Sequence, residues 1–201
     1  HLRIFYPDMI NYLRLFIDLC LFRRPVSLLP FSDVLLFATG VFYVLIFAIS
    51  MTTSNPSITF FPTLIRVIVW VLVVGASLYL VLRTKGFLNR WNQTMSAILG
   101  TLSITSIVAW PFIAGTVKSA DTIMTIVQNT SDFQKIPEAA ASEIFIVPIF
   151  VMFGIQIWQL TIQTSILRQA VELPPSAIIK VLLFVFVFIY NLFIASFINS
   201  F

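Results

Sequence analysis

Five stretches of this sequence stay apolar for about the 20 residues that a helix needs to cross a hydrocarbon core roughly 30 Å thick. They run at about 34–51, 60–82, 95–117, 144–167 and 177–201. Only structures that satisfy every backbone polar group internally can span lipid, and runs this long and this uniformly apolar are helices rather than barrel strands. The expected fold class is an all-α integral membrane protein. Five transmembrane helices over residues 32–201 follow an N-terminal amphipathic, interfacial segment over residues 1–31.

Composition agrees. Apolar residues make up 59% of the 201 and charged residues only 10%, against about 25% charged in a soluble domain. So little polar surface cannot cover a water-soluble globule. Mean hydropathy is +1.01. The net charge of +4 does not point to nucleic acid, because the basic residues gather at the ends of the apolar runs. There they serve topology and attract anionic lipid. One cysteine, Cys20, excludes an intrachain disulfide, and with a single histidine, His1, it leaves little from which to build a metal site. Because the chain opens on His1 rather than Met, it is expected to be truncated or processed.

Punctuation supports the runs. Ser32 and Asp33 stand where an N-cap and a first-turn acid belong, and Ser176 is placed to cap the last helix after Pro174-Pro175. Residues 52–57 form a polar turn around Asn55-Pro56, and residues 118–142 are long enough for a short surface helix. Met9 to Phe22 is apolar around most of its circumference, with Asn11, Arg14 and Asp18 at helical spacing on one stripe. It is too short to span. Lying in the interface with its apolar side in the acyl chains is the preferred arrangement, and packing onto the bundle through that side is the other.

Orientation follows from Lys and Arg. With the N-terminus cytoplasmic, the inner segments hold Arg3, Arg14, Arg23, Arg24, Arg83, Lys85, Arg90, Arg168 and Lys180, leaving Arg66, Lys118 and Lys135 outside. The long outer loop is acidic, with Asp121, Asp132, Glu138 and Glu143. The C-terminus is therefore expected outside.

Polar residues at membrane depth are the candidates for function. Gln156, Gln159 and Gln163 share one face of the fourth run. They would line a polar path, bind a headgroup, or bond neighbouring helices; the last is preferred, because an amide cannot relay protons by titrating. Ser96, Gly100 and Ser103 give the third run a small-residue face suited to close helix packing. Arg14, Arg23, Arg24 and Arg66 are candidates for lipid headgroups, and Arg66 alternatively pairs with an outer-loop acid such as Glu143. Asn191 and Asn199 read as interhelical bonds, and Asn129-Thr130-Ser131 matches a glycosylation triplet. Pro111 and Pro148 are expected to bend their helices. No phosphate-binding loop, dinucleotide fingerprint, zinc-protease motif or nucleophile elbow is present. Catalytic, cofactor-binding and metal-binding residues are accordingly expected to be absent, and the chain is not expected to be an enzyme.

Three stretches resemble the YIP family of five-span membrane proteins, first known as Rab-GTPase-interacting factors. They are Phe22-Arg23-Arg24-Pro25 leading through Leu28-Leu29-Pro30, Ala97-Ile98-Leu99-Gly100-Thr101 with Ala109-Trp110-Pro111, and Trp158 through Leu167-Arg168-Gln169-Ala170 with the Pro-Pro turn. The resemblance implies a cytoplasmic N-terminus, five spans and a non-enzymatic role. Eukaryotic members carry a long hydrophilic N-terminal domain, which this chain is expected to lack, so the resemblance points to a bacterial inner-membrane relative. The expected function is that of an accessory or scaffold subunit whose partners are the lipid bilayer and other integral membrane proteins. A small transporter or channel subunit with a polar path along the fourth span is the alternative.

Overall fold

The computed structural model describes residues 9–55, 58–129, 146–174 and 176–199, with side chains over 10–55, 58–117, 147–174 and 176–192. Every regular element among them is helical: α1 (Met9–Cys20), α2 (Asp33–Ser54), α3 (Phe60–Thr84), α4 (Trp91–Asn129), α5 (Ile146–Ala170) and α6 (Ala177–Asn199). Single 3-10 turns at Val26–Leu28 and Leu88–Arg90 lead into α2 and α4. Four helical stretches are long and apolar enough to cross a membrane: Asp33–Ser54, Phe60–Thr84, Leu88–Val117 and Val147–Ala170. The last apolar stretch, over its described side chains, is the shorter Ala177–Leu192.

The helix ends follow from local chemistry. The Ser32 hydroxyl accepts from the Leu35 amide at 3.2 Å, capping α2 with Asp33 in its first turn. α2 then continues past the apolar run to Ser54, because Thr52 and Thr53 donate back to the Ala48 and Ile49 carbonyls at 2.9 and 2.7 Å. Threonine hydroxyls satisfied in this way remain helical without water. α3 closes on Gly86 at φ 79°, with the Phe87 amide bonded to the Leu82 carbonyl at 2.8 Å. Ser176 accepts from the Ile179 amide at 3.3 Å at the start of α6.

Two boundaries differ from expectation. α4 begins at Trp91 and runs unbroken to Asn129, so the stretch after 117 continues the third helix instead of forming a separate surface helix. Nothing from Lys118 to Gln128 is a glycine or proline, and its Val, Ile and Met residues keep the helical rhythm. At 39 residues it rises about 58 Å, well beyond the hydrocarbon core. α5 is described from Ile146. His1, Arg3, Thr130, Ser131, Asp132, Lys135, Glu138 and Glu143 lie outside the described residues, as do the side chains of Lys118, Asp121 and Asn199.

α4 is the centre of the molecule. Every residue from Gln93 to Ser103 is buried, and half of the α4 span is enclosed against 17% of α3. Ser96, Gly100 and Ser103 let neighbouring backbones approach, and α2 packs along α4 more extensively than any other pair of helices. At the other end of the bundle, a Cβ at Gly115 would stand 3.1 Å from the Pro148 ring, which marks a close crossing of α4 and α5. The Trp110 indole donates to Thr53 Oγ1 at 3.0 Å across α4 and α2.

α1 docks on this core through Phe16, Leu19 and Cys20, all buried. Its other apolar stripe, Ile10, Leu13, Ile17 and Leu21, is exposed. The chain then hooks through Arg23-Arg24-Pro25 into the turn at Val26. Three hydrogen bonds hold the hook. The Trp158 indole donates to the Cys20 carbonyl at 3.0 Å, the Val26 amide to Gln169 Oε1 at 2.9 Å, and Gln93 Nε2 to the Leu29 carbonyl at 2.6 Å.

Candidate functional site

Two clefts bring polar or charged side chains together. The first is a half-open cleft of about 80 Å³ between α3, α4, α5 and α6, lined mainly by apolar groups such as Val74, Leu78, Ile98 and Leu167. Gln163 Oε1 accepts from Asn191 Nδ2 at 3.2 Å, and the same Nδ2 donates to the Val187 carbonyl at 2.8 Å. Gln163 Nε2 is buried with no hydrogen-bond partner among the described residues, and the Tyr190 hydroxyl faces Ser77. A cleft of this size beside an unpartnered amide has room for an ordered water. It has no carboxylate or imidazole, so it lacks the groups for acid–base chemistry.

The three glutamines do not act together. Gln163 is buried in this cleft, Gln159 is half-buried and Gln156 exposed, and neither of the latter lines it. Helical spacing put them on one face of α5, but how far a face is covered depends on the neighbouring helix. The small residues of α4 are likewise absorbed inside the chain. Ser96 and Ser103 are almost fully enclosed, and Phe16 covers Gly100.

The second cleft is a groove of about 830 Å³ between the hook, the C-terminal half of α5 and the start of α6. Its rim brings together Arg23, Arg24, Arg168 and Lys180, and no acid among the described residues lines it. Its walls are apolar (Leu19, Ile162, Val181, Phe184). Arg24 Nε lies 3.2 Å from Asp18 Oδ2, and Arg90 pairs with Glu172 near the same end of the bundle. Phe22 and Glu172, at the turns that end α1 and α5, have φ of 58° and 53°. The Arg23 amide reaches the Asp18 carbonyl at 2.8 Å and the Leu173 amide reaches that of Arg168 at 3.0 Å. These bonds hold two non-glycine residues in the left-handed conformation, at about 1–2 kcal/mol each. The first turn is followed directly by Arg23 and Arg24, which line the groove.

Of the arginines singled out from sequence, the groove therefore unites Arg23 and Arg24, while Arg14 and Arg66 are exposed elsewhere. Arg168 and Lys180 were legible only as topology signals. Nothing in a sequence separation of some 150 residues announces that they meet the hook. Cys20 is buried beneath it, and burial pushes its thiol up to about 12. Among the described residues no three His, Cys, Asp or Glu side chains come together as a metal site.

A chain whose described residues form only helices, four of them able to cross a membrane, is by class a multi-pass membrane protein. No family model, curated protein or solved structure matches it.

Proposed function

We propose that this chain is a five-span, non-catalytic accessory subunit of the membrane, with its N-terminus cytoplasmic and its C-terminus outside, that works by packing against another integral membrane protein. One observation carries the reading. α2 and α3 diverge over α4 and leave an apolar groove of about 670 Å³, floored by Met95 and Leu99 and lined by Gly40 and Gly75. Phe37, Val41 and Leu72 stand exposed along it. Lipid supplies no hydrophobic force between helices, so association depends on such close-packing surfaces with small residues at the contact. With the Ser96–Gly100–Ser103 face closed off inside the chain, this groove offers a partner helix a surface that still has glycines at the contact.

The fifth span is supported by the 23 residues of α6, about 35 Å of helix. An interfacial role for α1 is supported by its exposed Ile10, Leu13, Ile17 and Leu21 beside the polar Arg14 and Asp18. The orientation rests on the clustering of Arg23, Arg24, Arg83, Lys85, Arg90, Arg168 and Lys180 toward one end of the bundle. A bacterial inner membrane, and kinship with the YIP family, rest on the resemblance alone.

The test is native-gel migration in mild detergents, with a reporter fused to the C-terminus. Co-migration with a larger membrane protein, lost when Gly40 and Gly75 are both replaced by Leu, is expected, with the reporter outside. A monodisperse monomer in every detergent, or a cytoplasmic reporter, overturns the reading.

A further inference from the structure

We propose that the groove between the hook, α5 and α6 is a binding site for a single anionic diacyl phospholipid, its phosphate held among Arg23, Arg24, Arg168 and Lys180. The proposal does not depend on the partner surface across α2 and α3.

Charge comes first. Among the described residues the ion pairs are Arg24–Asp18 and Arg90–Glu172, so Arg23, Arg168 and Lys180 have no carboxylate of their own. The C-terminal ends of α1 and α5 also point here, each worth about half a negative charge, while the start of α6 adds about half a positive one. Four cations against Asp18 and these dipole ends leave an excess of roughly two and a half positive charges. Apolar walls lower the local dielectric, so this excess repels itself more strongly than it would in open water. A headgroup carrying two negative charges, as on a phosphate monoester, offsets most of it.

The second observation lies below the rim. Thr164, 6% exposed, lines the groove, and its Oγ1 is buried without a hydrogen-bond partner among the described residues. The neighbouring hydroxyls differ: Thr161 donates to the Ile157 carbonyl at 2.7 Å, and Ser165 accepts from Gln169 Nε2 at 3.3 Å. Thr164 sits one helical turn, about 6 Å, from Arg168. A phospholipid places an ester carbonyl at that depth beneath its phosphate, and Thr164 supplies the donor.

The shape separates a lipid from a free phosphate. An ion needs only the rim, whereas the groove continues between Leu19, Ile162, Val181 and Phe184, where acyl chains have apolar contact.

The experiment uses the full chain, purified and delipidated in a neutral detergent, with binding followed by native mass spectrometry and by the thermal midpoint. The probes are dioctanoyl phosphatidate, dioctanoyl phosphatidylcholine and inorganic phosphate. One phosphatidate is expected to bind at least about tenfold more tightly than phosphatidylcholine, and to weaken with added salt. R168Q/K180Q should lower its affinity about tenfold, T164V about threefold, and R14Q/R66Q should leave it unchanged. R168K/K180R, which retains the charges, should bind nearly as well and guards against a fold defect. Equal binding of phosphatidylcholine, equal binding of inorganic phosphate, or affinity indifferent to R168Q/K180Q each overturns the proposal.

Discussion

Gly100 on α4 lies directly beneath the ring of Phe16 on α1, so close that a Cβ at position 100 would stand 2.3 Å from Phe16 Cε1. This contact seats α1 on the bundle and sets the path of the hook that follows. It is where the N-terminal segment meets the central helix.

Gly100→Ala should therefore destabilise the protein, although alanine is the better helix former. The gain in propensity is about 1 kcal/mol, and the overpacking cost is about 1–3 kcal/mol. The net loss should be regained when Phe16 is shortened to Leu in the same chain. Unfolding by denaturant in detergent micelles checks both variants. A Gly100→Ala protein more stable than the parent would show that α1 does not hold the position described.

Gln163 and Asn191 bond across α5 and α6 at 3.2 Å. Replacing each with Leu, singly and together, should reveal a coupling of about 0.6–1.7 kcal/mol, the range found for such bonds between membrane helices. Additive single effects would mean that the pair is only adjacent. Gln156→Leu, at an exposed position in the middle of the same helix, should change stability little.

Cys20 offers a pH test. It is 1% exposed, and its thiol is 4.0 Å from the Thr101 carbonyl. In the unfolded chain a thiol titrates near about 8.5, and burial raises the folded value to about 12. The fold therefore favours the neutral thiol. Its contribution to stability is complete below the unfolded value and declines as the pH climbs toward 12. Folded protein at neutral pH should react very slowly with maleimide, while denatured protein reacts at once. The fall in stability between pH 8 and 10.5 should be smaller in Cys20→Ala than in the parent. Rapid labelling of the native state would rule out this burial.

How much of this was legible in the chain differs from element to element. The apolar runs located α2, α3 and the start of α4 within a few residues, because length and hydropathy are local quantities and lipid leaves few alternatives to a helix. Ser32 and Ser176 acted as caps, as their positions implied, since a cap reaches only three residues. The extension of α4 to Asn129 was hidden because Lys118 and Asp121 interrupt the apolar run, so the stretch read as a linker with room for a separate surface helix.

The sites were less legible. Spacing put Gln156, Gln159 and Gln163 on one face, yet only Gln163 meets Asn191, because burial depends on the helix packed alongside. Ser96, Gly100 and Ser103 were recognisable as a packing face, but their occupants, α2 and the Phe16 ring, were not.

By itself the sequence determined that this chain is helical and dissolved in lipid, with its positive charges gathered at helix ends. Those properties follow from side-chain transfer energies and backbone hydrogen bonding, which act residue by residue. Only the tertiary structure decided that Arg23 and Arg24 meet Arg168 and Lys180 over Thr164. That meeting depends on α1 folding back onto α4 through Phe16 and Gly100, on the Gln169 bond to the hook, and on α5 turning into α6. Proximity between residues so far apart in the chain is a product of packing, and no local pattern encodes it.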